Sequence, residues 1–165
     1  TGRWDDVVAA YRGAEDRVRK LGLDLPAPAP PAGALFAPCV RSGDLLYVSG
    51  HLPVGPDGKV VVGRLGQSME LKQGQEAARN VALRILGVVK AELGSLDRVV
   101  RVVKTLGMVN CTADFTQTPQ VINGFSEALV QVFGEQAGRG ARSAVGMASL
   151  PLGAPVEVEL ILEVR

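Results

Sequence analysis

The sequence contains few of the residues that build metal sites and disulfide frameworks. Cysteine occurs twice, at Cys39 and Cys111, and histidine once, at His51. Two distant cysteines without a second pair indicate neither a zinc framework nor a disulfide lattice. One histidine cannot form a metal cluster without ligands from elsewhere. We therefore expect two free thiols and no bound metal.

Neither sign of charge dominates the chain. Lys and Arg number 18 against 17 Asp and Glu, which leaves a formal net charge of +1. This balance gives no strong field for phosphate backbones, so nucleic acid is not an expected partner. No apolar run approaches the ~20 residues of a membrane-spanning helix, and residues 1–6 carry no signal-peptide pattern. We expect a cytoplasmic protein without membrane association, although a targeting segment ahead of Thr1 would permit an organelle.

The common catalytic motifs are also missing. There is no GxGxxG, P-loop, GxSxG or CxxC, so any chemistry must come from isolated polar residues. With 165 residues, of which 47% are hydrophobic, the chain can bury one good core. Residues 4–21 carry an apolar stripe at helical spacing, and residues 25–34, with four prolines, form a linker. We expect an N-terminal helix and linker over residues 1–34 and one main domain over residues 35–165.

The first part of that domain has the pattern of short strands. Between residues 35 and 63, apolar pieces alternate with the turn signals SGD and GPDG. The pieces cover residues 39–41, 45–49 and 59–62. This arrangement predicts two or three strands joined by hairpins.

Two longer segments have helical periodicity. Apolar residues repeat at spacings of three and four within residues 68–94, and Gly94 supplies a stop. A second stripe follows Thr118 and Pro119, which supply a cap and a first-turn proline, and it ends near Gly134. Both segments are predicted to be long helices.

A strand that is apolar on both sides lies between the two helices. Within residues 98–110 the odd and the even positions are both apolar, which is typical of a strand covered on both faces. The expected faces are Val99, Val103 and Val109 on one side, and Val100, Val102, Leu106 and Met108 on the other.

The last two strands are predicted to form a hairpin. Residues 141–150 and 155–165 flank the turn sequence PLGA. In the second of them, Val and Leu alternate with Glu157 and other mostly charged residues, so one face goes to the helices. The hairpin would place Glu157 across a strand pair from Arg142, facing the same pocket.

The predicted order, ββ(β)αβαββ, fits an α+β fold with a single sheet and two long helices on one face. Two helices cover only one face of the sheet. The other face of the apolar strand at residues 98–110 is then expected to meet another subunit. Patterning therefore predicts an oligomer without giving the number of subunits.

Arg142 and Glu157 are the strongest candidates for a site. Arg142 opens a strand with almost no other charge, so its guanidinium needs an anion, a water-filled cleft or the solvent. The alternative is a surface arginine or a structural ion pair, such as one to Glu157. Glu157 lies opposite the helix-covered residues, either near a subunit interface or as a solvated carboxylate. His51 and Cys111 are more typical of a loop histidine and a packed thiol.

Three segments together resemble the RidA (YjgF/YER057c/UK114) family of reactive-intermediate imine deaminases, also described as endoribonuclease L-PSP-like. They are LLYVSGHLPV (residues 45–54), ARSAVGMASLP (residues 141–151) and VEVE (residues 156–159). The resemblance covers about residues 35–165. The helical stretch DFTQTPQVINGFSEALVQVFGEQAG and the N-terminal helix are more similar to the elongated branch of that family.

The resemblance implies a chorismate-mutase-like fold and a homotrimer with pockets between neighbouring subunits. Arg142 matches the arginine that holds the substrate carboxylate, for which a planar guanidinium is suited. Glu157 matches the carboxylate that helps a water attack the carbon of a 2-imino acid, such as one derived from 2-aminoacrylate. The products are ammonia and a 2-oxo acid. No metal or organic cofactor is implied, and the reaction belongs to metabolite damage control.

Further pocket residues follow from the same resemblance. They are Phe36, Ser49, Gly50, Asn123, Ser143 and Ala144. Phe36 stands at or near a family tyrosine and lacks its hydroxyl, and Ala144 stands where cysteine is frequent. Two other functions remain open: a non-catalytic trimer that binds small carboxylates, and an endoribonuclease, against which the balanced charge argues.

Overall fold

A computed structural model describes residues 13–29 and 32–165. Within these ranges the helices are α1 (Ala14–Lys20), α2 (Leu71–Leu93) and α3 (Thr118–Gly138). The strands are β1 (Cys39–Ser42), β2 (Leu45–His51), β3 (Val99–Asn110), β4 (Ala141–Met147) and β5 (Val156–Val164). Short 3-10 turns, Leu96–Arg98 and Pro151–Gly153, precede β3 and β5. The start of the predicted N-terminal helix, residues 4–12, lies outside the described residues.

The five strands form one sheet in the order β1-β2-β5-β3-β4. Strand β5 is antiparallel to β2 and to β3, whereas β4 is parallel to β3. A parallel pair needs a long crossover, and α3 supplies it. Helices α2 and α3 pack against each other and cover one face of the sheet. The α+β fold with one sheet and two long helices is therefore confirmed.

The core lies between this sheet and the two long helices. The valines and leucines of β5 are at most 1% exposed, while Glu157, Ile161 and Glu163 on the other face are half-buried. The buried valines and leucines of β5 lie in one core with buried side chains of α2 and α3 such as Ile85 and Phe125. Each large apolar side chain buried in this way contributes about 1.5–3 kcal/mol. The predicted alternation of β5 is confirmed.

The predicted hairpin between residues 141–150 and 155–165 is wrong. The chain does turn at Pro151–Gly153, where Leu152 has a φ of 56° and Gly153 a φ of 72°. After the turn, however, β5 enters the sheet on the far side of β3, so β3 separates it from β4. A local turn signal is the same for a hairpin and for a connection that passes over one strand. The strand order decides between them, and here β3 pairs with both β4 and β5.

The predicted faces of β3 are wrong in part. Val102 is 1% exposed and lies in the core with Val99 and Val109. The pairing of β3 with β5 is irregular between Val99 and Arg101 and again between Val102 and Lys104. An inserted residue reverses the alternation of side chains beyond it. The sequence carries no signal for these irregularities because both faces of the strand are apolar.

Two smaller expectations also need correction. Residues 59–62 form no strand, and Val60 makes only an isolated bridge with Val54. The N-cap of α3 is Gln117 rather than Thr118, whose hydroxyl instead donates to the Ala144 carbonyl at 3.1 Å. The hydroxyl is thus used for packing β4 onto α3 and not for capping.

The predicted end of α2 at Gly94 is confirmed, whereas the predicted end of α3 near Gly134 is a break inside a helix that continues to Gly138. Gly94 takes a left-handed φ of 78° and its N–H bonds to the Lys90 carbonyl, so α2 ends there. Gly134 has a φ of 83° and a ψ of 169°, which interrupts α3 four residues before its assigned end. Only glycine adopts such angles without strain.

Pro26 of the proline-rich linker lies directly on α2. A Cβ at Gly87 would stand 2.0 Å from the carbonyl oxygen of Pro26, so no larger residue fits beneath the linker. The contact holds residues 26–29 beside the end of β2. Among the described residues, no helix is long and apolar enough to span a membrane.

The sheet face opposite the helices is open in the single chain. Tyr47, 44% exposed, pairs with Ile161 on this face, and Val145 pairs with Met108. Exposed apolar side chains of this kind are typical of a face that meets another protein, and here they are interspersed with the polar side chains of Lys104, Ser143 and Glu157. The predicted uncovered face is therefore present.

Candidate functional site

Arg142 lies on the edge strand β4 and points to the helix side of the sheet. It pairs with Thr105 of β3, which is buried under the helices. Its Nη1 donates to Asn123 Oδ1 at 2.9 Å and to Ser126 Oγ at 3.1 Å. Its Nη2 donates to the Pro119 carbonyl at 3.4 Å. Three groups of one helix therefore orient the guanidinium.

The orientation of Arg142 leaves part of its guanidinium free. The group has five N–H donors. The three bonds to Asn123, Ser126 and Pro119 leave Nε–H and one Nη2–H without an acceptor among the described residues. These two donors sit on neighbouring nitrogens, which is the arrangement that binds both oxygens of a carboxylate. Arg142 makes no ion pair within the described part of the chain.

The guanidinium borders a cavity of about 610 Å³, here called the arginine cavity. Its walls come from α3 and the start of β4 and are mixed in charge. The polar lining residues are Thr105, Asn123, Ser126, Glu127, Gln131, Glu135, Arg139 and Arg142. Glu135 pairs with Arg139 at 2.7 Å, so that acid is already neutralised by a neighbour.

Glu157 lies on the other face of the sheet. It pairs with Met108 of β3, and its carboxyl is half-buried. Burial raises the pKa of this carboxyl, and repulsion from Glu159 raises it further. A carboxylate with a raised pKa holds a proton more readily and is therefore a better base near neutral pH.

Gly50 makes room for the Glu157 carboxyl. Strand β2 is irregular between Val48 and His51, so two residues of β2 lie opposite one residue of β5. At this irregularity a Cβ on Gly50 would stand only 2.1 Å from Glu157 Oε1. Glycine is needed here because the backbone and the carboxyl approach each other so closely.

A second cavity, of about 660 Å³, contains this carboxyl and is called the glutamate cavity. It lies where β2 leaves β5, and the linker residues 26–29 form one wall. The other lining residues with relevance to a site are Phe36, Gly50, His51, Leu52, Arg84, Val88 and Glu157. Phe36 is 58% exposed, so its ring stands at the opening.

His51 has a defined tautomer in this cavity. Its Nδ1 lies 2.6 Å from the Ser49 carbonyl oxygen, and a carbonyl can only accept. Nδ1 therefore carries the hydrogen, and Nε2 is free to accept. Burial lowers the pKa of His51, the hydrogen bond to the Ser49 carbonyl raises it, and the nearby positive charge of Arg84 lowers it. The net shift is downward, which favours the neutral ring.

Arg84 was missed by reasoning from the sequence. It lies on α2 between Val81 and Val88, three and four residues away, which are both buried. A signal was present, because an arginine inside the apolar stripe of a helix is unusual.

Three predicted pocket residues do not line either cavity. Ser49 Oγ donates to the Ala37 carbonyl at 2.7 Å. Ser143 Oγ accepts from Lys104 Nζ at 2.7 Å on the open face of the sheet. Ala144 packs against the core below α3. In the single chain these residues support the strands that carry Gly50 and Arg142.

Arg142 and Glu157 are not brought together within one chain. Arg142 lies on the helix side of the sheet and Glu157 on the open side, with β3 between their strands. The expectation that they share a pocket across a strand pair is therefore wrong for a single chain. Asn123 does lie beside Arg142, and Phe36 and Gly50 lie beside Glu157.

The thiols are free, as expected, among the described residues. Burial and the negative charge of Glu92 raise the pKa of Cys39 to about 11, so this thiol is a poor nucleophile. Cys111 is buried in the core. No group of three His, Cys, Asp or Glu side chains within residues 13–29 and 32–165 is placed to hold a metal ion.

Solved structures of other proteins share this α+β fold with one sheet and two long helices. A solved structure of a protein of unknown function from Agrobacterium tumefaciens superposes with a TM-score of 0.83 and 41% identity, over 95% of this chain and 97% of that one. The structure of RidA from an Antarctic Psychrobacter superposes with a TM-score of 0.58 and 28% identity, over 86% of this chain and 97% of that one.

The sequence comparisons establish the family. The family described as Endoribonuclease L-PSP matches residues 27–164. Protein TCP17 of Trypanosoma cruzi is 46% identical over 159 residues, which cover 96% of this chain and 98% of that protein. This chain belongs to the Endoribonuclease L-PSP family, which is the YjgF/RidA family.

Proposed function

We propose that this protein is a cofactor-independent imine deaminase that converts 2-imino acids to 2-oxo acids and ammonia. The active sites lie between subunits of a homotrimer. One observation carries the proposal: Arg142 and Glu157 lie on opposite faces of one sheet, and the free edge of Arg142 and the half-buried carboxyl of Glu157 line two different cavities. Each cavity by itself holds half of the groups that the reaction needs.

A second copy of the chain can supply the other half. The open face carries apolar side chains such as Tyr47 and Val145, and β4 is an edge strand beside it. Covering that face with another subunit would bury apolar area at about 25 cal/mol per Å² and bring an edge strand to the glutamate cavity. Arg142 of one subunit then faces Glu157 of its neighbour.

In this site Arg142 binds the carboxylate of the substrate. Its Nε–H and free Nη2–H bind both oxygens, while Asn123 and Ser126 hold the guanidinium in place. Charge-assisted bonds of this kind contribute roughly 1.5–3 kcal/mol each. The imine carbon next to the carboxylate is thereby fixed in position.

Glu157 acts as the base and then as the acid. It accepts a proton from a water whose oxygen attacks the imine carbon, and it passes that proton to the nitrogen as the carbon–nitrogen double bond becomes single. It then accepts the hydroxyl proton of the resulting carbinolamine as the carbonyl forms, and passes this second proton to the nitrogen, which leaves as ammonia. The raised pKa of Glu157 suits both steps. Phe36 contributes a ring and no hydroxyl, so it shapes the opening and donates no proton.

A direct assay tests the proposal. Purified protein is added to 2-aminoacrylate generated by a pyridoxal-phosphate enzyme, and release of ammonia and 2-oxo acid is followed. We expect acceleration over hydrolysis in buffer, loss of activity in Arg142→Ala, and unchanged activity in Arg19→Ala, an exposed arginine on α1. No acceleration by the wild-type protein would refute the proposal. Sedimentation analysis gives the number of subunits independently.

Two other functions use the same residues differently. A trimer that only binds small carboxylates would keep binding them in Glu157→Gln and would show no turnover in the wild type. An endoribonuclease is suggested by the description of the family. The arginine cavity, however, carries Glu127 and Glu135 beside its two arginines, which is unfavourable for a phosphate backbone.

A further inference from the structure

Arg84 is a charged group that the proposed reaction does not use. It lies in the buried stripe of α2, and its Nε is fully buried without an acceptor. It forms no ion pair within the described part of the chain. A guanidinium stays protonated in proteins, and a buried N–H of such a group without an acceptor is unfavourable. Such a group indicates that an anion is expected beside it.

The surroundings of Arg84 direct it into the glutamate cavity. Leu52, Val88 and the linker residues 26–29 line the same cavity and give it apolar walls, while the Arg84 side chain as a whole is partly buried. The close contact of Pro26 with Gly87, one turn along the helix, fixes the linker at this wall. The Arg84 guanidinium therefore forms part of the wall of the glutamate cavity on the side of α2.

Glu157 is not the partner of Arg84. Both line the same cavity, but the pKa of Glu157 is raised by burial and by Glu159, and Arg84 is not among the groups that shift it. An ion pair would lower that pKa instead. His51 is also no partner, because its ring is neutral or positively charged and therefore cannot neutralise the positive charge of Arg84. The guanidinium is left for a ligand.

We propose that Arg84 binds a second carboxylate on the substrate, so that the protein prefers 2-imino dicarboxylic acids. This inference rests on the proposed function, in which Arg142 holds the carboxylate next to the imine carbon. The far end of the substrate then lies in the apolar part of the cavity, where Arg84 neutralises it. Among imines of amino acids, an anionic far end is a carboxylate.

Binding of product-like 2-oxo acids tests this assignment without turnover. Calorimetry compares 2-oxoglutarate with 2-oxobutyrate for the wild type, for Arg84→Met and for Lys72→Met, which removes one positive charge from an exposed position of the same helix. We expect the wild type to bind the dicarboxylate more tightly. Arg84→Met should weaken that binding by roughly 10- to 100-fold and change the binding of 2-oxobutyrate less than about twofold. Lys72→Met should change neither.

Equal affinity of the wild type for the two acids, or an equal loss for both in Arg84→Met, would overturn the inference. The two proposals fail separately. If the protein hydrolyses a monocarboxylic imine and does not prefer the dicarboxylate, the proposed deaminase activity stands and the proposed role of Arg84 is wrong. If it prefers to bind the dicarboxylate and hydrolyses neither imine, the proposed role of Arg84 stands and the proposed deaminase activity is wrong.

Discussion

Replacing Gly50 by alanine tests the geometry of the glutamate cavity most directly. The added Cβ would lie 2.1 Å from Oε1, 3.0 Å from Cδ and 3.2 Å from Cγ of Glu157. Because carbon and oxygen separate to about 3.5 Å at optimal contact, the carboxyl must move by more than about 1 Å. Such a misplacement of a catalytic group lowers the rate by about 100-fold.

The stability of Gly50→Ala should change much less than its activity. The carboxyl is the far end of a flexible side chain, so overpacking should cost about 1 kcal/mol, at the low end of the usual range. A suitable control is Gly63→Ala, whose Cβ would meet the end of the Met69 side chain at 2.6 Å outside both cavities. Both variants are compared for kcat/KM in ammonia release and for Tm.

Two results are required if the contact between Gly50 and the Glu157 carboxyl matters for catalysis. Gly50→Ala must lose about 100-fold in kcat/KM while Gly63→Ala keeps wild-type activity. The double variant Gly50→Ala/Glu157→Gln must be no worse than Glu157→Gln alone, since both changes act on one carboxyl. Wild-type activity in Gly50→Ala, or equal losses in both glycine variants, would show that the close contact has no catalytic role.

Three further predictions follow from other contacts. The pKa of Glu157 is raised in the folded protein, so protonated Glu157 stabilises the fold below the ordinary Glu pKa. This contribution is lost as the pH rises through the raised pKa. The variant Glu157→Gln should therefore flatten this part of the pH profile of Tm. Asn123→Ala should raise KM about tenfold with little change in kcat, because Arg142 loses the bond that orients it. Gly87→Ala should lower the free energy of unfolding by about 1–3 kcal/mol and expose the linker to protease, because its Cβ collides with the Pro26 backbone.

Each of these has a clear contrary result. An unchanged pH profile in Glu157→Gln would show that the carboxyl is solvated in the assembled protein. If Asn123 and Ser126 orient Arg142 together, Ser126→Ala should raise KM as Asn123→Ala does. A wild-type KM in the double variant Asn123→Ala/Ser126→Ala would contradict this role of the two residues. A protected linker in Gly87→Ala would mean that α2 and the linker can separate without cost.

Much of the fold could be predicted from periodicity. The helices, the end of α2 at Gly94, and the alternation of β5 are local patterns, because each depends on residues a few positions apart. The bulges of β3 and the position of β5 between β2 and β3 could not be predicted. They depend on which distant strands pair, and the pattern within one strand does not specify its partners.

The candidate site divides in the same way. Arg142, Glu157, Phe36, Gly50 and Asn123 were identified by the motif resemblance, and the structure places them in two groups. What the sequence could not predict is that the groups lie on opposite faces, because a single misplaced strand reverses which residues are neighbours. The role of Asn123 beside Arg142, and the collision that requires glycine at position 50, are likewise visible only in three dimensions.

By itself, the sequence determined the α+β class, the lengths of the helices, the apolar face left open for another subunit, and the two residues on which the proposed chemistry depends. The fold features follow from hydrophobic periodicity and the two residues from the motif resemblance, and both depend on residues close together in the sequence. The tertiary structure decided that Arg142 and Glu157 lie apart within one chain and that Arg84 faces a cavity. Those facts depend on strand order and on contacts between distant segments, for which no local pattern carries the information.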